Sequence, residues 1–514
     1  MATTARQAKR TEPEPVDEQV EASPGPSAVA LDDWSYWRRP SRYRGGGEAG
    51  AVREEGAGRA RVRVVPRQGW LVRDGGRAAS LPRPAVWRAT TASASGIYPW
   101  LMSQPLPAVG VAIGYDVFTR STFCSHPVEW VRRNITTNPN VLLTAAPGAG
   151  KSALIKQHVA RLAAFGVRSL ILGDIKGEYN ALARWLGVTP IILGPGSADR
   201  LNPLDGGPLA KNLPTDPAER AERLGEVHRR RLMLLKTLMT WRLARPLSTL
   251  EEAAVGLALR RATGEDRAGE LRDPQVAEVL AELWGLGDDE AAELQVSSRA
   301  RLIEEVREAG LALQNLLAGT LAGLFDGPTT APLDFSAPIQ TVDVSRLEGR
   351  GDEALALVLS CLSSWGQAAV DDPARGADDP PRLVVRDELW RALRYAPLVA
   401  KVDADLRLSR AQGTMQFLCT HRLADFEAAA DSVVARRLVA SCEVRILMAQ
   451  DLGEVHAIGD QIGLSASERE MVSSWNAAHI GRGLWRVGKN RGYVVQGVLS
   501  GPERELFYTN ERMT

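Results

Sequence analysis

The stretch Ala145-Ala-Pro-Gly-Ala-Gly-Lys-Ser152 constrains the fold more than any other part of the sequence. It lies between an apolar run, Asn140-Val-Leu-Leu-Thr144, and a helix-compatible run, Ala153-Leu-Ile-Lys-Gln-His-Val-Ala-Arg-Leu162. A glycine-rich turn joining a strand to a helix aims successive backbone N–H groups inward, where they and the helix N-terminus bind phosphate oxygens. Gly148, Gly150, Lys151 and Ser152 fit that fingerprint, and Ala146, Pro147 and Ala149 fill the loop. The first position is Ala145 instead of glycine, a departure that requires only an ordinary φ there. Lys151 is expected to meet the β- and γ-phosphates of ATP as a point charge, and the Ser152 hydroxyl to be a ligand of Mg²⁺, with Ala153 opening the helix behind them.

From about Asn140 onward, short apolar runs alternate with longer helical segments, the pattern of a mostly parallel sheet with crossover helices. The expected strands are Val141–Thr144, Ser169–Leu172, Ile191–Leu193, Ile339–Val344, Leu383–Val385, Met415–Cys419 and Val444–Met448. Between the third and fourth, the chain reads as helical, with helices over Arg220–Arg245, Ser248–Thr263 and Asp273–Trp284. That stretch is too long for a loop and reads as an all-α subdomain inserted into the sheet domain. Ser248-Thr-Leu-Glu251 has the form of a capping box and places a helix start there.

A phosphate site of this kind needs a carboxylate near the metal and a group that orients the attacking water. Leu383-Val-Val-Arg-Asp-Glu-Leu-Trp390 ends a predicted strand with both: Asp387 is expected to serve the metal and Glu388 to polarise the water. Arg386 interrupts the apolar run that usually precedes such a pair.

The remaining features mostly exclude. The net charge of +1 hides an arginine-rich start and acidic runs such as Gly287–Glu293, so global charge says nothing about nucleic acid. Cys124, Cys361, Cys419 and Cys442 are scattered, without the spacing of a zinc site or a disulfide framework, and read as small core residues in a reducing compartment. Residues 1–30 are polar and lack the apolar core of a signal peptide, and read as disordered. Residues 31–95 carry tryptophans among arginines and glycines, with one strand pair around Arg61–Val65 and Trp70–Arg73, and read as a small appendage. The longest apolar candidates, such as Leu316–Phe325, fall short of the roughly 20 residues a transmembrane helix needs. Membrane association is therefore expected only through a partner.

Further runs carry a family resemblance. Leu170-Ile-Leu-Gly-Asp-Ile-Lys-Gly-Glu-Tyr179, Ile191-Ile-Leu-Gly-Pro-Gly-Ser197 and Leu201-Asn-Pro-Leu-Asp205 resemble segments of the ATPases of conjugative transfer and type IV secretion, within the wider HerA–FtsK group of hexameric motors. Gly323–Gly327, the D-E-x-W of Asp387–Trp390, Thr420-His-Arg-Leu-Ala-Asp425 and Gly483-Leu-Trp-Arg-Val-Gly488 extend the likeness over about residues 96 to 510. The resemblance implies an α/β fold: a RecA-like P-loop NTPase sheet domain with an inserted all-α subdomain and a short N-terminal appendage. The domain plan is then 1–30, 31–95, a first part of the ATPase domain at 96–205, the helical insertion at 206–332, and the second part at 333–514. By the same resemblance, a short Trp-containing segment is expected to stand where larger family members carry a long N-terminal docking domain.

It further implies an ATP-hydrolysing, Mg²⁺-dependent motor that energises DNA or protein transfer, a homo-oligomer and expectedly a hexamer. The location would be cytoplasmic, at the inner face of the membrane through a transfer or secretion apparatus. Two rival readings are a motor that translocates DNA directly, for which Arg229-Arg-Arg231 are candidate pore residues, and a protein that uses ATP only to order its assembly. Asp174, Lys176 and Glu178 are expected at the carboxyl edge of the sheet, shaping the nucleotide site. His421 stands where related motors often carry a glutamine sensor. Ring motors complete the site with a neighbour's arginine, for which Arg436, Arg437 and Arg445 are candidates and Arg445 is the choice.

Overall fold

Each apolar run from Asn140 onward lies in one sheet, because alternate side chains of every strand meet a hydrophobic layer on either face. The computed structural model describes residues 106–507, except 212, 265–271, 320–321, 326, 331–333, 335, 372–378 and 489–491. The expectations for 1–30 and for the strand pair around Arg61–Val65 and Trp70–Arg73 lie outside the described residues. All four cysteines are buried and unbridged.

Among the described residues the strands are β1 (Val111–Asp116), β2 (Thr122–Ser125), β3 (Val141–Thr144), β4 (Arg168–Asp174), β5 (Ile191–Ile192), β6 (Ile339–Asp343), β7 (Arg382–Arg386), β8 (Thr414–Thr420), β9 (Val444–Leu447), β10 (Arg482–Val487) and β11 (Gly492–Gly497). They form one 11-stranded sheet in the order β2-β1-β11-β10-β9-β3-β8-β7-β4-β6-β5. From β9 to β5 every pairing is parallel, whereas β10, β11, β1 and β2 extend the sheet antiparallel. The parallel run is the one the sequence pattern predicts. The antiparallel pairing of β10, β11, β1 and β2 is not part of that pattern, because partly exposed and polar positions break their apolar runs.

β3 lies between β8 and β9, with Leu143 opposite Cys419 and Ile446. Val141 and Leu143 point into the layer formed with the helix Lys151–Ala163, where Ile155, Val159 and Leu162 are buried. Leu142 points the other way, into the layer of Val399, Leu406 and Leu438. The carboxyl ends of all the parallel strands therefore open on one edge, where loops are free to carry chemistry.

The helices inserted between β5 and β6 include Pro217–Leu243, Thr249–Thr263, Val276–Trp284 and Arg307–Ala318. The capping box at Ser248 and Glu251 is formed, and Gly264 ends that helix in the left-handed region. Leu234, Leu238, Val255, Val279 and Leu313 make the core of this all-α subdomain, which runs on into the sheet face through Leu170, Leu172 and Val342. Among the described residues no helix is long and apolar enough to cross a membrane.

Arg229-Arg-Arg231 is not a basic face. Arg231 is buried: its guanidinium donates to the Leu204 and Arg272 carbonyls at 2.7 and 3.2 Å and pairs with Asp273. Arg230 donates to the Ser364 carbonyl, and only Arg229 is exposed. Arg231 thus pins the long insertion helix to the Leu201–Asp205 loop, since a buried guanidinium must find acceptors. Replacing it strands those acceptors. Arg231→Met is expected to lower stability by roughly 2 kcal/mol, whereas Arg229→Ala should stay within about 0.5 kcal/mol. Urea unfolding of the two variants checks this.

Candidate functional site

The P-loop begins as a continuation of β3. Ala145 N–H donates to the Thr420 carbonyl at 3.3 Å and Ala146 N–H to the Ala449 carbonyl at 2.8 Å, so the turn is held between the ends of β8 and β9. Ala145 is not among the residues with positive φ, so the missing glycine leaves no strain. Gly148 and Gly150 are at φ 81 and 100, where a side chain would be strained. At Gly150 an added Cβ would also come within 3.1 Å of the Gly481 backbone, which itself bonds to the Ala149 carbonyl. No side chain caps the helix Lys151–Ala163, so its first N–H groups face the cleft without an intramolecular side-chain acceptor. That cradle suits phosphate oxygens.

Asp387 and Glu388 follow β7, separated from β3 by β8. Lys151 reaches across: its Nζ pairs with Asp387 Oδ1 and lies 3.4 Å from Glu388 Oε1. Lys151 and Glu388 are each 5% exposed. Burial by itself would lower the ammonium's pKa, but the charges of Asp387 and Glu388 hold it above its ordinary value. Burial would likewise raise the Glu388 carboxyl, yet the His421 hydrogen bond, the Lys151 charge and the Lys176 hydrogen bond keep it well below the usual carboxylate range. Glu388 sits at φ 51, left-handed for a non-glycine residue, a conformation that costs on the order of 1 kcal/mol. Its N–H returns to Asp387 Oδ1 at 2.9 Å, and Leu389 N–H bonds the Cys419 carbonyl at 2.9 Å. Arg386, the interruption in the apolar run, pairs with buried Asp405.

The turn after β4 shapes this edge from the other side. Asp174 is buried; its carboxylate accepts from the N–H groups of Lys176, Glu178 and Tyr179 at 3.3, 3.1 and 2.8 Å. Burial pushes its pKa up to about 6, against the pull of those hydrogen bonds. Asp174 therefore builds the turn, while Lys176 and Glu178 face the cleft. Lys176 Nζ donates to Glu388 Oε1 at 2.6 Å, and Glu178 lies 3.9 Å from buried Lys156. Tyr179, quoted only as part of a motif, donates its hydroxyl to Asp387 Oδ2 at 2.9 Å.

His421 follows β8, with Nε2 3.0 Å from Glu388 Oε1 and Nδ1 3.2 Å from the Ala145 carbonyl. Both partners are acceptors, so a neutral ring can donate to only one of them at a time. Arg445 is not brought to the site. It lies within β9 beside Leu142, and its guanidinium donates to the carbonyls of Cys442 and Ile462 of its own chain at 3.0 and 3.2 Å. Ile462 ends the helix Leu452–Ile462, where a cation is favourable. The choice of Arg445 as a trans arginine therefore has a rival role within its own chain, where these acceptors meet the cost of a charge inside an apolar strand. Arg437 lies 3.9 Å from Asp403, and Arg436 is exposed.

A cleft of about 620 Å³ runs along the P-loop from Lys176 and His421 to Ile480, Leu499, Arg504 and Phe507. The last four come from the antiparallel extension and the helix after it, which sequence reading did not connect to the site. Their only signal was Gly481 and Gly483 beside a recognised motif. Among the described residues no three His, Cys, Asp or Glu side chains gather into a metal cage. Mg²⁺ held by phosphates and water needs no such cage, and the Ser152 hydroxyl with the Asp387 carboxylate is the donor set that fits it.

Comparison with known proteins bears on the fold alone. No family model and no curated relative matches the chain. Among solved structures, VirB4 of Thermoanaerobacter pseudethanolicus superposes with a TM-score of 0.60 at 22% identity, over 78% of this chain and 100% of that one. The plasmid coupling protein TrwB in complex with the non-hydrolysable ATP analogue ADPNP has a TM-score of 0.48 at 13% identity, over 82% of this chain and 96% of that one. The likeness to VirB4 shows the fold: an α/β sheet domain of the RecA-like kind.

The Lys151 pairing has a pH signature. Glu388, with a depressed pKa, contributes stability that is present above its ordinary value of 4.5 and is lost as pH falls below it. Lys151→Met removes one of the cations responsible. The variant is expected to be roughly 2–4 kcal/mol less stable at pH 7, and to lose less stability than the parent between pH 5 and about 3. Urea titrations across that range test the sign.

Proposed function

We propose that this chain is an ATP-hydrolysing motor of a conjugation or type IV secretion-like transfer system. The observation that carries the enzymatic part is the meeting of Lys151, Asp387, Glu388 and His421, from the ends of three adjacent strands, beside an uncapped helix N-terminus. The system is supported by the likeness in fold to VirB4 together with the Asp174–Glu178 and Leu201–Asp205 motifs.

Lys151 exchanges its carboxylate partners for the β- and γ-phosphates, and the N–H groups of Gly148 to Ala153 take the phosphate oxygens. Ser152 and Asp387 would hold Mg²⁺, which supplies neutralising charge on the phosphates. Glu388 orients and deprotonates the attacking water, while Lys176 and His421 keep its carboxylate ionised and in place. Ile480, Leu499 and Phe507 offer an apolar wall for the base and ribose, with Arg504 beside them.

The working unit is a homo-oligomeric ring, a hexamer, at the cytoplasmic face of a membrane-bound apparatus. Arg436 and Arg437, both exposed, join Arg445 as candidates for a neighbour's contribution. DNA is the cargo or partner to be tested, since among Arg229–Arg231 only one side chain is exposed.

The test separates binding from chemistry. Asp387→Asn should weaken Mg·ATP binding and turnover together. Glu388→Gln should bind ATP like the parent while single-turnover hydrolysis falls by a factor on the order of 10². Normal hydrolysis by Glu388→Gln would move the role elsewhere, Glu178 first. Multiple turnover by the parent excludes a protein that only orders its assembly. Turnover and oligomeric state with and without DNA, across a salt series, distinguish DNA from other cargo.

A further inference from the structure

Glu388 is held unevenly. Oε1 is shared by Lys151, Lys176 and His421, all of which face the nucleotide cleft. Oε2 has a different partner, the indole N–H of Trp390, at 2.7 Å. Trp390 begins the short helix Trp390–Leu393 that follows the acidic pair. Its ring is gripped by two guanidiniums, Arg391 and Arg394, which lie 4.8 and 4.7 Å from its centroid. Both of these reach Asp352, at 3.3 and 2.6 Å, at the start of the helix Asp352–Val370.

We propose that Trp390 is a positioning residue for the catalytic carboxylate: its N–H fixes Oε2 so that Oε1 stays directed into the cleft. The inference rests on Glu388 being the group that activates water. A carboxylate rotates about its last bond through a broad, shallow well, so contacts to one oxygen leave the other free to swing. The problem is sharpest when Lys151 turns to phosphate, because Oε1 then loses a partner. An anchor on the opposite oxygen keeps the plane of the group fixed through that exchange. An uncharged donor does this without placing another full cation beside a group that must accept a proton. The cation–π contacts supply the rigidity, since an indole free to turn would orient nothing. The same chain of contacts ties the geometry of Glu388 to a surface pair, Arg394 and Asp352, each about half exposed.

The experiment compares Trp390→Phe, Glu388→Gln and Arg394→Ala in steady-state ATP hydrolysis across pH. Trp390→Phe keeps an aromatic ring for the arginines and removes the N–H. It should lower kcat roughly tenfold with KM for ATP within about twofold. The acid limb of its kcat–pH profile should move to higher pH, because a carboxylate that loses a hydrogen-bond donor is protonated more easily. Arg394→Ala, which leaves the indole in place but loosens it, should move both quantities in the same direction by less. A merely structural tryptophan would lower the melting temperature and the amount of active protein without moving the acid limb. Wild-type kcat in Trp390→Phe, or a fall in kcat with the acid limb unmoved, overturns the proposal while leaving Glu388 as the base. Should Trp390→Phe not fold, an unmoved acid limb in Arg394→Ala overturns it. Normal turnover by Glu388→Gln overturns the functional reading and this inference with it.

Discussion

The Lys151 ammonium, set between the carboxylates of Asp387 and Glu388, is the interaction on which the arrangement of the sheet edge depends. It closes a bridge from β3 to β7 over the end of β8. Two carboxylates on consecutive residues, one of them buried and in the left-handed region, would repel each other without it. Lys176 and His421 add to the same oxygen of Glu388, and Tyr179 holds the second oxygen of Asp387. The cluster is a balanced ion network, in which removing one member leaves the others uncompensated.

Topology makes the network possible. A run of parallel strands sends every carboxyl end to one side, so residues far apart in sequence converge without any long excursion of the chain. Asp174 turns the chain after β4 and delivers Lys176, β7 delivers the acidic pair, and β8 delivers His421. The antiparallel extension has a different task. Its Ile480–Gly481 corner packs against Gly150, so the glycine that lets the P-loop turn also lets β10 approach it.

What was legible in the sequence was what depends on local pattern. The apolar run and glycines of the P-loop placed β3 and its helix, and the capping box placed the helix after Ser248. Asp387, Glu388 and His421 were legible because each ends an apolar strand. Partners set by tertiary approach were not. Tyr179 and Trp390 were visible as letters of a motif, but nothing in spacing says that one donates to Asp387 and the other to Glu388. Arg445 illustrates a related point. A charge inside an apolar strand suggests a functional site, yet helix-end carbonyls within reach also give it a structural role. Arg231 repeats the lesson: three consecutive arginines on a helix resemble a basic face until helix geometry turns each to a different side.

On the proposed reading, the network also explains how nucleotide arrival and readiness for hydrolysis are linked. Phosphates and carboxylates compete for one ammonium, so entry of the former withdraws Lys151 from the latter. Glu388 then loses one cation from Oε1 and becomes a better proton acceptor, while Lys176 and His421 still hold it ionised. Asp387 is freed at the same moment, when a divalent cation accompanying the phosphates needs a carboxylate. A site in which each anion is satisfied by the cation the substrate will take cannot reach its working electrostatics before the substrate is present. That order follows from the charges alone, without any movement of the sheet that carries them.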